Sequence, residues 1–480
     1  MPTLTMAAEA ERIRASVTLI DVRRATALCF LAWTFAVYDF ILFANLLPVI
    51  SGELGWSSAK TTGINTWVTA GTAIVAFLVG PFVDRFGRRA GIVGCVVGAA
   101  IASLLTWLGG YAAGAIGGAG IVLLVVIRSL AGVGYSEQAV NATYLNEMFA
   151  HVYTDEKSAR RRGFLYAFVQ GGWPIGAVIA DISIRILEPV GGWQLCFVVA
   201  VFPALLIPFV ARRLKESPVF VAKRRVKELR AEGRTQDAAE LARLTGQDHS
   251  VRKAGVLALF QGESLRGTLS LSAAFLLNWL GILAFAFQGT LILVNGKGVS
   301  FSSALEVLII SNLAGFLGYL FHGWLGDRFS RRSTISFGWA VSSICFAVMV
   351  LGPNGNFGLL VAAYAVGTFF LIGPYAAVLF FNGESFPAEN RATAGAFINA
   401  LGQVGAIIGG SLFTATLSAA GSSAHEQAHA WIRAGLIWGC VPLLLSAVAI
   451  LFARNVKPLS GMSAENAVGH ATVTPSKSAT

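Results

Sequence analysis

Charge is what this sequence has least of. Only 13% of its 480 residues are Asp, Glu, Lys or Arg, against about 25% in soluble globular chains, while 55% are hydrophobic. So little polar surface cannot cover a water-facing body of this length, which excludes a soluble fold. Cysteine is sparse as well: Cys29, Cys95, Cys196, Cys345 and Cys440 stand far apart in apolar stretches, with no CxxC and no His-bearing metal spacing. That excludes a disulfide scaffold or a zinc module, and the five read as small apolar packing residues. Nucleophile–base pairs and phosphate loops are missing too. The string "GGYAAGAIGGAG" has no strand before it to make a nucleotide site, and reads as a short connection and packing surface. No enzyme, metal or cofactor is expected.

Long apolar runs fill the chain instead. Twelve of them, each near the roughly 20 residues that cross a bilayer, fall at about 26–50, 60–82, 90–110, 119–145, 163–186, 193–211, 267–293, 303–325, 333–352, 357–382, 392–418 and 430–453. Numbered as spans 1 to 12, they predict an all-α polytopic membrane protein. Span 1 reads as a retained helix and not a cleaved signal, because a mixed segment precedes it and eleven more spans follow. With both termini placed in the cytoplasm, all but five of the 36 Lys and Arg fall on that side; Lys60, Arg185, Lys297 and Arg433 lie outside and Arg128 lies within span 4. Translocating basic loops is disfavoured, so this asymmetry sets the orientation. It also accounts for the net charge of +11 without nucleic acid. The expected setting is the cell (inner) membrane, with lipids as neighbours.

Residues 212–265 form the longest polar segment, with charges of alternating sign and apolar positions at helical spacing, as surface helices joined by loops have. They divide the chain into an N-terminal arm (1–25), six spans (26–211), a linker (212–265), six more spans (266–453) and a polar tail (454–480). The halves echo each other. "GPFVDRFGRRAG" lies between spans 2 and 3, and "GWLGDRFSRRST" between spans 8 and 9. "YLNEMF…RRGFLYAF" after span 4 is matched by "FNGESFPAENRATAGAF" after span 10. In each turn the Gly (Gly80, Gly323) would permit close helix approach. The Asp (Asp84, Asp327) would cap the next helix and accept a neighbouring Arg. The flanking Arg85, Arg88, Arg89, Arg328, Arg331 and Arg332 would sit at headgroup level. A latch closing the inner gate is expected from Asp84 with Arg88 and Glu147 with Arg162, and from Asp327 with Arg331 and Glu384 with Arg391. The plainer role of these Arg as topological anchors does not explain the matched Gly and Asp.

On these motifs the chain resembles the major facilitator superfamily over residues 25–455. "YDF" (Tyr38, Asp39, Phe40), "RSLAGVGYSEQAVNATYLNE", "KESPVF" and "ESFPAENRATAG" resemble the metabolite:proton symporters within it. The resemblance implies a secondary transporter, functional as a monomer, that moves a small molecule with protons between two rocking six-helix bundles. It also implies an interaction between the helix 1 Asp and the helix 4 Arg.

Few charges lie well inside the spans: Arg128, Asp39, Glu137 and Asp181. Each costs about 2.5–3.5 kcal/mol at mid-bilayer by insertion scales, so such groups are paired or line a wet cavity. Asp39, at the middle of span 1, is the candidate proton carrier. Arg128 is a fixed cation that would alternate between a protein carboxylate and a substrate carboxylate, with Asp181 as a competing partner. Glu137 is either a second titrating site or a packing residue; nine residues from Arg128, it falls on another helix face. A static buried network of all four is the competing reading. Further substrate contacts are expected from Tyr38 in span 1, from Asn278 and Gln288 in span 7, and from Asn312, Tyr375, Asn399 and Gln403, which belong to polar stripes along spans 8, 10 and 11. The leading expectation is proton-coupled uptake of a small organic anion, a mono- or dicarboxylate. A zwitterion, polyol or sugar symporter and a drug:proton antiporter are the rivals.

Overall fold

Thr18 caps span 1 reciprocally with Asp21 and starts a helix at Leu19–Glu53, seven residues before the apolar run. Span 2 follows as Ser58–Phe86 behind its own Ser57 cap, and span 3 as Arg88–Ala115. The computed structural model describes residues 5–153, 156–247, 256–262, 264–386 and 390–455. Among these, every regular element is helical.

Among the described residues, ten helices are long and apolar enough to cross a membrane, with Gly118–Ala131 as a shorter eleventh. Twelve spans are nevertheless present, for two local reasons. Span 4 is broken: Gly118–Ala131 gives way to turns at 132–136 before Glu137–Val152 resumes. Spans 5 and 6 meet inside one helical string, Gly172–Val199, where Gly191 and Gly192 leave helical backbone and Gly192 takes φ 67. Span 7 is irregular as well, with π-helical turns at Leu283–Phe287 and Ile292–Gly296. Spans 8, 9 and 11 are continuous (Phe301–Arg328, Arg331–Leu351, Arg391–Ser418), whereas spans 10 and 12 are each interrupted once. The protein is an all-α integral membrane protein of the twelve-helix type.

Close helix crossings occur where a Cβ would not fit. Added at Gly71 it would lie 2.0 Å from Ser129 Oγ, at Gly132 2.6 Å from Thr72, and at Gly176 2.4 Å from the Thr34 carbonyl. Spans 2 and 4 thus touch, as do spans 1 and 5. The loop-motif glycines play a different part from the one expected: nothing lies within 4 Å of a Cβ at Gly80, and Gly323 meets only ordinary contacts at 3.6 and 3.8 Å. The required glycine of that turn is Gly87, at φ 103.

Gly87 also makes room for a carboxylate from the linker. Glu216 Oε1 accepts from the Arg88 amide at 3.1 Å and Oε2 from the Arg89 amide at 3.2 Å. The cap of span 3 is therefore Glu216 and not Asp84, which pairs with the Arg88 side chain instead. Glu216→Ala is expected to cost about 1–2 kcal/mol, because it removes an anion from a helix N-terminus. Asp84→Ala, at a site 59% exposed, should cost under about 1 kcal/mol. Thermal unfolding in detergent tests the order; equal losses would refute the cap.

Within the linker, helices Pro218–Ala231 and Thr235–Leu244 pack against the N-terminal helix Met6–Arg14 through Met6, Ala10, Ile13, Val226, Leu229 and Leu241. Arg225 adds an ion pair to Glu9 at 2.8 Å. The arm and the linker share a small core, which the sequence pattern read as separate surface pieces.

Candidate functional site

Asp39 and Arg128 are brought together inside the first half, 4% and 2% exposed. Arg128 Nη1 lies 3.6 Å from Asp39 Oδ1, Nη2 donates to the Asp39 carbonyl at 3.2 Å, and Nη1 also reaches Thr106 Oγ1 at 3.4 Å. Ser103 Oγ donates to Asp39 Oδ1. The guanidinium is sandwiched between the rings of Phe43 and Phe197, 5.1 and 5.3 Å from their centroids, an arrangement that offsets part of a buried cation's desolvation. Ser103 and Thr106 of span 3 were not among the expected residues. Their one-turn spacing on an apolar helix was the available signal.

Asp181 does not compete for Arg128 here. Its Oδ1 accepts from Asn45 Nδ2 at 2.5 Å, and Asn312 of the second half reaches it as well. Glu137 is buried too, with Oε2 accepting from Asn141 at 2.9 Å. The nine-residue phase argument assumed a continuous helix, and the break at 132–136 removes its basis. Tyr38 is buried in the first half beside Ser183, away from the space described next.

Between the halves runs a cavity of about 400 Å³, lined by spans 2, 4, 7 and 11, that reaches Asp84 and Arg88 at the end carrying the 2–3 and 8–9 turns, the basic end. It leads into a chamber of about 140 Å³ walled by Tyr135, Tyr166, Trp173, Phe275, Trp279, Tyr319 and Tyr375. Of the expected contacts, Asn399 and Gln403 line the cavity, and Tyr375 and Asn399 the chamber. Asn278 stands behind Tyr375, whose hydroxyl donates to it at 2.7 Å. Gln288, Asn312, Tyr38, Asp181 and Arg128 line neither space. The broken turn of span 4 delivers Tyr135 and Ser136 to the cavity. Gln138 also lines it, and donates to Gln170 of span 5 at 2.7 Å. On the helix that resumes at Glu137, Gln138 and Ala142 fall one turn apart, a face readable in the sequence but overshadowed there by the charge of Glu137. Among the described residues, no Lys or Arg lines the chamber.

The wall is coupled to the ion pair. Phe40, adjacent to Asp39, packs its ring 5.6 Å from Tyr135 and 6.4 Å from Trp173, so one turn of span 1 touches both sites.

At the basic end, Arg88 binds Asp84 at 3.2 Å and Glu147 at 3.1 Å, while Ser217 Oγ donates to Glu147. In the second half, Arg331 binds Glu384 at 2.9 Å. Arg88–Glu147 and Arg331–Glu384 are corresponding pairs, each inside one half, and both are made while the cavity extends to this end. They fasten spans within a bundle, and Glu147 and Glu384 take Arg88 and Arg331 as partners, where the sequence paired them with Arg162 and Arg391. Arg85 and Arg328 stack on Phe86 and Trp324, and Arg332 donates to the carbonyls of Leu451 and Ala453. Arg162 sits on the helix Glu156–Gln170. The side chains of Asp327 and Arg391 lie outside the described residues.

The halves are joined at the opposite end. Arg185 of span 5 meets Glu306 of span 8 at 2.5 Å, Thr414 donates to Thr62 at 3.1 Å, and Trp431 Nε1 reaches Ser58 Oγ at 3.3 Å. Deeper in, the Asp181–Asn312 contact continues the Arg185–Glu306 line.

Two pseudo-equivalent helical halves around a central cavity, with a loop motif repeated in each, define a transporter of the major facilitator superfamily. Residues 25–460 match the family described as sugar (and other) transporter, and the chain belongs to it. Similar proteins include a probable 4-methylmuconolactone transporter of Cupriavidus pinatubonensis, 25% identical over 79% of this chain and 81% of that protein. The gallate transporter of Pseudomonas putida is 26% identical over 82% and 84%, and the 4-hydroxybenzoate transporter PcaK of Acinetobacter baylyi 25% identical over 79% and 82%. Among solved structures, the xylose transporter XylE of E. coli in an inward open conformation matches with a TM-score of 0.65 at 18% identity, covering 93% of this chain and 98% of that one. That likeness speaks to the fold.

Proposed function

We propose that the protein imports a small aromatic acid together with a proton by alternating access, with the basic end and both termini in the cytoplasm of a cell whose inner membrane holds it. The observation that carries this reading is the chamber: seven aromatic side chains around about 140 Å³, below the roughly 300–1,000 Å³ of sites for drug-sized ligands. Such walls favour a single flat ring, by stacked or edge-on contacts worth about 0.5–1.5 kcal/mol each beyond area burial. Relatives named for gallate and 4-hydroxybenzoate transport support the same class.

In this scheme the halves at 26–211 and 266–453 rock about the cavity, with 212–265 between them. Asp39 holds the transported proton and Arg128 neutralises it when the proton leaves. Arg128 acts from behind the wall and does not touch substrate. Gln138, Asn399 and Gln403 supply hydrogen bonds to ring substituents. Phe40 transmits the state of the Asp39–Arg128 pair to Tyr135 and Trp173.

Reconstituted vesicles with an imposed pH gradient test the scheme against labelled benzoates, aliphatic acids and sugars. Benzoates should accumulate, and the others should not. Asp39→Asn should abolish gradient-driven accumulation while leaving substrate exchange. Gradient-driven uptake by Asp39→Asn at the parental level contradicts the role given to Asp39.

A further inference from the structure

On the outer surface of the first half, at the basic end, a second cavity of about 500 Å³ has no part in the transport path. Three guanidinium groups line it, each from a different element: Arg89 opens span 3, Arg212 ends span 6, and Arg224 lies on the linker helix Pro218–Ala231. The carboxylate that also lines it, Glu216, is already engaged by the amides of Arg88, Arg89 and Ser217. Among the described residues, no carboxylate pairs with Arg89 or Arg212. Among the same residues Arg224 meets one carboxylate, Glu228 at 3.4 Å, in an exposed pair worth little.

The rest of the lining is apolar, with Phe86, Val93, Pro208 and Phe220. Beyond it, Phe82 and Phe86 of span 2 and Leu205, Leu206 and Phe209 of span 6 are 44–61% exposed. Side chains of this kind on a spanning helix face acyl chains. A cationic pocket at the end of an acyl-facing groove is shaped for a molecule with an anionic head and an apolar body.

We propose that Arg89, Arg212 and Arg224 bind the phosphate of an anionic phospholipid, whose acyl chains lie along spans 2 and 6. Guanidinium groups suit this ligand because their forked donors match phosphate oxygens, and each adds to the attraction of an anionic leaflet. One phosphate held by all three would tie the linker helix to spans 3 and 6. The site thereby differs from the scattered basic residues that merely orient a membrane protein, which need no shared pocket.

The test uses the full chain, purified in detergent, with native mass spectrometry and thermal unfolding after adding phosphatidylglycerol, phosphatidylcholine or inorganic phosphate. Phosphatidylglycerol should bind and raise the unfolding temperature, and neither of the others should match it. The triple variant Arg89→Gln/Arg212→Gln/Arg224→Gln should lose binding about tenfold or more. A control triple, Lys223→Gln/Lys227→Gln/Arg230→Gln, removes the same charge nearby and should bind as the parent does. Equal losses in the two triples would overturn the pocket in favour of diffuse attraction. Stabilisation by inorganic phosphate equal to that by phosphatidylglycerol would overturn the lipid as occupant. Should the first triple unfold, Arg212→Gln alone carries the test: Arg212 is exposed at the end of its helix, and unchanged binding there counts against the proposal.

Discussion

Arg128→Ala is expected to destabilise the first half by about 3–5 kcal/mol, the usual result of leaving one member of a buried ion pair alone. The substitution strips Asp39 of its counter-charge and empties the slot between Phe43 and Phe197. Thr106 loses its donor and the Asp39 carbonyl loses another. The double variant Asp39→Asn/Arg128→Gln, neutral at both positions, should recover a large part of the loss. A double-mutant cycle on unfolding in detergent measures this coupling. If Arg128→Ala stays within about 1 kcal/mol of the parent, the pair contributes no such stabilisation and the sandwich is mere packing.

The second large effect concerns the sealed end. A Cβ at Gly410 of span 11 would lie 2.2 Å from Thr66 Oγ1 of span 2, so Gly410→Leu cannot be accommodated with the two spans in contact. Overpacking of this kind costs about 1–3 kcal/mol. Here the strain is relieved by parting the halves at that end, which shifts the balance towards the opposite conformation by about ten- to a hundredfold. A cysteine introduced by Thr62→Cys, beside the Thr414 contact, should then react faster with a membrane-impermeant thiol reagent. An unchanged labelling rate would show that the spans yield locally instead, and net transport should fall in step with any shift.

The architecture was legible because its signals are local. Apolar length, the basic bias of the loops and the repeated Gly-x-x-x-Asp-Arg turn each lie within a short stretch. The Asp39–Arg128 pair was legible for a different reason: charge is so rare in the spans that few partners exist. What escaped depends on chain segments far apart. The carboxylate capping span 3 comes from Glu216, and nothing in the turn itself distinguishes it from Asp84. Arg88 chooses Glu147 across the bundle, a choice made by the packing of spans 3 and 4. The aromatic chamber draws one or two rings from each of spans 4, 5, 7, 8 and 10, each of which alone looks like core or lipid-facing surface. Tyr135 enters it only because span 4 unwinds at 132–136, and helical phase cannot foresee a break.

The linker lies between the halves in sequence; its last turn, Val256–Phe260, packs on spans 7 and 11 of the second half, but its two helices are moored to the first. Lys215 reaches Asp21 at 2.8 Å, the Lys215 carbonyl accepts from Tyr144, Glu216 seats on span 3, and Ser217 touches Glu147. In the proposed rocking scheme these two helices would travel as cargo of the N-terminal bundle, together with the N-terminal helix. An antibody fragment or fluorophore carried there would report the tilt of that bundle relative to the other, and the apparent symmetry of six and six conceals one heavy rotor and one light one.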